Sequence, residues 1–156
     1  MANLDDLVSE QARLMGIGAV PVVAENDGYA STDGQAIYVN PSFISSVESS
    51  SGEGGVRFVL GHELGHIAAG MGGGHGAELD ADQFAARSVA AAGFDEKAIS
   101  GVMSILPGDS SETHPGAGTR EGVALKAFDH ERANMDDEEG KRKKVKKSGK
   151  DLSHSR

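Results

Sequence analysis

The 156-residue chain contains no cysteine and no tryptophan. Without cysteine it can form neither a disulfide nor a thiolate metal site, which fits a reducing compartment. Aromatic residues make up only 4% of the chain, so its core must be built from Val, Ile, Leu, Ala and Met. The length is enough for one domain with a hydrophobic core.

Long apolar runs are also missing. No run approaches the roughly 20 residues that a membrane-spanning helix needs. The first 16 residues, MANLDDLVSEQARLMG, are acidic and amphipathic, whereas a secretory signal is basic and then apolar. We therefore expect a soluble, cytoplasmic protein with no membrane partner.

The net charge of −9 is distributed unevenly along the chain. Residues 1–140 carry 7 Lys+Arg against 23 Asp+Glu, and residues 141–156 carry 8 against 1. Blocks of like charge are usually solvated, so we predict one domain over 1–135 and a charged, disordered tail over 136–156. Nucleic-acid contact through the tail is a minor alternative, because the tail has no aromatic residue for base stacking. Folding of the tail back onto the acidic body is another alternative.

Hydrophobic periodicity and turn residues define the other elements. Helices are predicted at 3–15, 56–70, 77–92, 95–106 and 119–135, the last capped by Thr119. Strands are predicted at 19–25 and 35–41, as a hairpin or as neighbours in a small sheet. Polar or glycine-rich loops are predicted at 26–34, 45–55, 70–74 and 108–118. The segregated strands and helices indicate an α+β fold in which helices dominate.

One five-residue segment carries the strongest chemical signal. His62, Glu63 and His66 spell H-E-x-x-H on a predicted helix. Residues four apart lie on one helix face, so both imidazoles can bind one Zn²⁺ at about 2.0–2.1 Å. Glu63 can then act as general base on a water at the metal. The alternative is two solvent-exposed histidines with a neighbouring acid.

A catalytic zinc needs a third protein ligand and one open position. His75 and Glu78 are both candidates by spacing, and Glu78 is preferred because it lies on a predicted rigid helix. Asp82 lies one turn further along that helix, where its carboxylate can accept the free N–H of a ligand histidine. Asp80 points elsewhere and is expected to be solvated. His114 lies in a loop, where it is either an oxyanion-stabilising residue or a turn histidine.

Four segments together resemble the gluzincin metallopeptidases, and among these the HtpX-like and CAAX-prenyl-protease-type family. The segments are HELGH (62–66), ELDAD (78–82), AGFD (92–95) and THP with Arg120 (113–120). The resemblance implies a small zincin-like domain, with the active-site helix and a glutamate-bearing helix beside a short mixed or antiparallel sheet. It also implies Glu78 as third ligand with Asp82 supporting the site, and His114 and Arg120 near the substrate.

The same resemblance implies that GQAIYVN (34–40) is an edge strand above the cleft that pairs with an extended polypeptide substrate. Known members carry transmembrane helices, which this chain lacks, so membrane or prenylated substrates are not inferred. The segment RFVLGHELGH (57–66) resembles the ImmA/IrrE-type peptidases, which cleave regulators, equally well. This family is therefore a competing relative. We expect the protein to be a zinc-dependent endopeptidase. The alternative is a zinc-stabilised binding or regulatory module without hydrolytic activity.

Overall fold

The computed structural model describes residues 3–106 and 116–153. The described elements are α1 (Leu4–Leu14), β1 (Val22–Ala24), β2 (Ala30–Thr32), β3 (Ile37–Val39), α2 (Pro41–Ala68), α3 (His75–Ala91), α4 (Lys97–Met103) and α5 (Ala117–Ser153). The fold is α+β, with a small mixed sheet and dominant helices, as the sequence predicts. None of the described helices is both long and apolar enough to cross a membrane.

The sheet has the strand order β1-β3-β2, with β3 in the centre. Strand β1 lies parallel to β3, so the two predicted strands are neighbours but do not form a hairpin. The hairpin is formed by β2 and β3, which pair antiparallel with Ser31 opposite Tyr38. Strand β2 falls in a segment predicted to be a turn, because three residues between glycines show no periodicity of their own.

The central position of β3 corrects one expectation. GQAIYVN contains β3, which is paired on both sides, so it is not the edge strand that the resemblance implies. The edge strand beside the candidate site is β2, which the sequence analysis missed. The error has a physical cause, since the order of strands in a sheet is set by tertiary packing and not by local pattern.

Helix α2 is longer than predicted, and the predicted loop at 45–55 is wrong. The helix begins at Pro41, directly after Asn40, whose side chain accepts a hydrogen bond from the Ser42 N–H. It is bent at Gly52, whose φ of 68° and ψ of −164° lie outside the helical region. The serine and glycine content suggested a loop, but the capped start and the burial of Ile44 and Val47 outweigh that weak propensity.

Helices α1, α3 and α4 lie close to their predicted bounds, whereas α5 is longer than predicted. Positive φ angles at Gly16, Gly70 and Gly93 follow the ends of α1, α2 and α3, which lie within two residues of the predicted helix ends. Helix α5 begins at Ala117, so Thr119 lies in its first turn and does not cap it. Its helical backbone extends beyond residue 135 to Ser153, into the charged segment. Most of the predicted loop at 108–118 lies outside the described residues.

Helices α2 and α3 approach closely because of two glycines on α2. A Cβ atom at Gly65 would lie 2.9 Å from the Ala81 Cα and 3.0 Å from the Phe84 Cβ. A Cβ atom at Gly61 would lie 2.7 Å from the Ser88 Oγ. Since real Cβ atoms do not approach backbone this closely, only glycine permits the observed separation of the helices. This packing brings the histidines of α2 against the acidic residues of α3.

The substitution Gly65→Ala tests this contact. We expect it to lower the free energy of unfolding by about 1–3 kcal/mol, because the added methyl group forces two packed helices apart. The control is Gly122→Ala on α5, where a Cβ atom would meet no atom within 4 Å. That change should raise stability by about 0.4–1 kcal/mol. Urea unfolding in the presence of a chelator measures both, and equal effects would contradict the close contact.

Candidate metal centre

The second half of α2 carries the H-E-x-x-H residues, and α3 carries the acids that face them. His62 and His66 lie one turn apart on α2, and their rings meet edge to face with centroids 4.8 Å apart. Glu78 lies in the first turn of α3. His62 and Glu78 are each only 8% exposed, so the group is largely shielded from solvent.

Three side-chain atoms converge at one point. The His62 Nε2 lies 3.1 Å from the His66 Nε2 and 3.3 Å from a Glu78 carboxylate oxygen. The same oxygen lies 2.6 Å from the His66 Nε2. Ligand atoms held tetrahedrally at about 2.0–2.1 Å from zinc are about 3.3 Å apart. The spacing of the three atoms therefore fits a metal ion after small shifts.

The protonation pattern also favours a cation at this point. The His62 Nδ1 lies 2.7 Å from an Asp82 carboxylate oxygen, which can accept a hydrogen bond from the Nδ1–H. In a neutral His62 that leaves the Nε2 lone pair facing His66 and Glu78. A carboxylate oxygen and imidazole lone pairs repel one another unless a proton or a metal ion lies between them. The donor set of two imidazoles and one carboxylate suits Zn²⁺.

Asp82 and Arg120 form an outer layer behind His62. Asp82 is completely buried, and it accepts hydrogen bonds from the Arg120 Nε at 2.8 Å and from the Arg120 Nη2 at 2.9 Å. Arg120 belongs to α5, so the last helix contributes to the site. The sequence predicted the position of Asp82, but the pairing of Arg120 with Asp82 was missed because no spacing rule connects them.

The charges of this group shift the pKa values of its members. Burial lowers the pKa of His62, but its hydrogen bonds to Asp82 and Glu78 outweigh burial and raise that pKa to about 9. Burial raises the pKa of Glu78, and its bonds with His62 and His66 reverse this and hold the pKa well below its usual range. Without a metal ion, the site is therefore a cluster of ion pairs in which His62 is protonated on both ring nitrogens, and so positively charged, at neutral pH.

Glu63 is buried beside the three converging atoms but is not one of the group. Burial raises its pKa, although the nearby His62 and His66 act in the opposite direction. A carboxylate with a raised pKa is a better proton acceptor near neutral pH than an exposed one. Glu63 thus has the location and the chemistry of a general base.

A cavity of about 660 Å³ adjoins this group. Its lining includes His62, Glu63, His66, Glu78 and Arg120, together with residues of β2, both halves of α2, and α4. A volume of this size lies in the range of ligand-binding pockets. The candidate metal ligands and Glu63 are therefore accessible from one cavity.

Of the other predicted residues, two have side chains that the structure does not describe and one has an exposed side chain. His114 lies outside the described residues, so its role near the substrate stays a prediction. The side chain of His75, the alternative third ligand, is not described, and His75 forms the first residue of α3. Asp80 is exposed, as the sequence analysis expected, and His130 is exposed as well.

The raised pKa of His62 predicts how stability depends on pH in the metal-free protein. A pKa near 9 in the folded state, above the ordinary 6.5, means that the His62 proton stabilises the fold below about pH 6.5. This contribution is lost as pH rises through 9. We expect the free energy of unfolding, measured with chelator present, to fall between these two pH values.

The matched variants are His62→Gln and His130→Gln. The His62→Gln protein should lose this part of the pH dependence, whereas His130→Gln, changed at an exposed histidine, should retain it. The same slope in wild type and in His62→Gln would contradict the assignment. Urea unfolding at several pH values supplies the measurement.

Comparison of the chain with protein-family models, with curated proteins and with solved structures finds no match.

Proposed function

We propose that the protein is a zinc-dependent metalloendopeptidase. The observation that carries the proposal is the convergence of His62, His66 and Glu78 in a cavity that also contains Glu63. Structural zinc sites have four protein ligands, and catalytic sites have three and one open position. Within the described residues the group has three members, and its position in a cavity favours catalysis over a purely structural site.

The proposed reaction is hydrolysis of a peptide bond. Zinc held by His62, His66 and Glu78 would supply a Lewis acid that makes water nucleophilic at neutral pH and polarises the substrate carbonyl. The Glu63 carboxylate accepts a proton from water as the water oxygen bonds to the carbonyl carbon. Glu63 then donates that proton to the amine nitrogen as the C–N bond breaks.

Asp82 and Arg120 orient the site. Asp82 accepts a hydrogen bond from the His62 Nδ1–H and so keeps the Nε2 lone pair directed at the metal position. Arg120 holds Asp82 with two parallel hydrogen bonds, which fix the carboxylate plane. The roles inferred from the family resemblance for His114, as stabiliser of the carbonyl oxygen, and for Arg120, as a substrate contact, are part of this proposal.

Strand β2 is suited to hold the substrate backbone. The Asn40 N–H donates to the Tyr29 carbonyl across the β2–β3 hairpin at 2.9 Å. Because hydrogen bonding alternates along an antiparallel pair, Ala30 and Thr32 turn their backbone N–H and C=O groups to the outer edge. Both residues line the cavity, so an extended polypeptide can pair with this edge beside the metal position.

Two isosteric substitutions test the ligand assignment. Glu78→Gln should weaken zinc binding more than the roughly 10–100-fold that loss of an outer partner costs, because it replaces an anionic ligand with a neutral amide oxygen. Glu63→Gln should leave zinc affinity close to that of wild type. Competition with a fluorescent chelator measures both affinities. Equal losses in the two variants would show that the ligand set is wrong.

Glu63→Gln also tests the reaction. We expect zinc-loaded wild type to cleave an unfolded, reduced and alkylated protein, and Glu63→Gln to be slower by about 10²–10⁴-fold at equal zinc content. Asp80→Asn is the matched acid-to-amide control on α3, and it should cleave like wild type because Asp80 is exposed. If Glu63→Gln cleaves as fast as wild type, Glu63 is not the base. If zinc binds and wild type cleaves nothing, the binding module becomes the better account.

A further inference from the structure

The cavity has a second wall that the proposed chemistry does not use. This wall consists of apolar side chains from α2 (Phe43, Phe58 and Val59), from α4 (Val102) and from the segment that follows α4 (Leu106). Phe58 and Val102 are each 1% exposed, so they are fixed in the core and present only one face to the cavity. Phe43 and Leu106 are half-buried and pack against the core.

The bend in α2 creates this wall. Phe43 and Phe58 are 15 residues apart, which corresponds to about 22 Å along a straight helix. The non-helical backbone at Gly52 turns the first half of α2, so both phenylalanines line the same cavity. Helix α4 packs against α2 and contributes Val102. The apolar wall therefore depends on the same helix that carries the metal ligands.

The rim of the cavity is apolar as well. Tyr29 is 57% exposed and Met71 is 42% exposed, and both line the cavity. Tyr29 contacts Phe43 edge to face, with ring centroids 5.0 Å apart, so rim and wall form one continuous surface. Exposed large apolar side chains that adjoin a cavity mark a surface for an apolar partner.

The distribution of charge in the cavity adds a constraint. Among the described lining residues, those with a charge or a titration near neutral pH are His62, His66, Glu63, Glu78 and Arg120, which surround the candidate metal position. A charged substrate side chain against Phe43, Phe58 or Leu106 would lose its hydration without gaining a partner, which is unfavourable. A large apolar side chain would instead cover exposed apolar surface.

We propose that this wall, formed by Phe43, Phe58, Val59, Val102 and Leu106, is a specificity pocket that accepts a large apolar side chain next to the cleaved bond. The inference rests on the proposed peptidase function and names its substrate class: extended polypeptide segments that carry Leu, Ile, Met or Phe. Segments in which the corresponding position is Asp, Glu or Gly are poor substrates.

The first test maps cleavage sites. Zinc-loaded full-length protein is incubated with a peptide library derived from a proteome, and mass spectrometry identifies the new termini. We expect large apolar residues to be enriched at one position relative to the cleaved bond, with at least about a tenfold preference over Ala. Cleavage without an apolar preference at any position would overturn the pocket and leave the peptidase proposal intact.

Substitutions at two neighbouring residues test whether the apolar wall causes the preference for apolar substrate side chains. Leu106→Glu places a carboxylate in the cavity and should shift the preferred residue at that position to Lys or Arg. Ile105→Glu makes the same change at a neighbouring residue that is 37% exposed and is not part of the cavity lining, and should leave the profile unchanged. The same shift in both variants, or in neither, would contradict the assignment. Leu106→Phe, which narrows the pocket without a buried charge, should move the preference to smaller side chains.

A binding measurement separates the two proposals. Zinc-loaded Glu63→Gln should bind a fluorescent peptide with a central Leu more tightly than the same peptide with a central Asp, by at least about tenfold in anisotropy titrations. Equal affinity for the two peptides would overturn the pocket. If the Leu peptide is preferred although wild type cleaves nothing, the pocket stands and the peptidase proposal fails.

Discussion

The contact between α2 and α3 at Gly61 and Gly65 is the constraint on which the rest of the site depends. Imidazole and carboxylate side chains are short, so they meet at one point only when their backbones lie close together. The two glycines provide this separation directly beside His62 and His66. The apolar packing of the two helices thus determines the distances among the candidate ligands.

Burial of charge is the second determinant of the site. Asp82 is fully covered by protein, and a buried carboxylate without partners is strongly unfavourable. Arg120 from α5 and His62 from α2 both satisfy it. Removing one partner of such a buried pair typically costs about 3–5 kcal/mol. The position of α5 and the orientation of a candidate metal ligand are therefore energetically linked.

A buried set of hydrogen-bonded side chains joins α1 to α2 and α3. Gln11 of α1 donates to the Ser88 Oγ at 2.7 Å and to the Arg57 carbonyl at 3.1 Å. The Arg57 guanidinium in turn donates to the Gln11 amide oxygen at 3.0 Å. All three residues are buried, and Ser88 and Gln11 lie beside Gly61. Since both the nitrogen and the oxygen of the Gln11 amide have partners, this group specifies one arrangement of α1, α2 and α3.

The sequence predicted the parts of the structure that depend on local pattern. The α+β class, the helix that carries His62 and His66, and the helix that carries Glu78 all follow from periodicity and helix-stop glycines. Strand β2 was missed because three residues gain strand structure only from pairing with β3. The residues of 45–55 were read as a loop because their composition is a weaker signal than the capping and burial that determine the helix. The partner of Arg120 depends on the docking of α5, which no local pattern records.

The bend at Gly52 divides one helix into two regions that can change independently over evolution. Residues 53–68 carry the candidate ligands and the glycines that pack against α3, so few substitutions are compatible with them. Residues 41–51 contribute Phe43 to the apolar wall of the cavity, and the second half of α2 contributes Phe58 and Val59 to the same wall. Substitutions in this first half and in α4 can therefore reshape the cavity while the centre keeps its geometry.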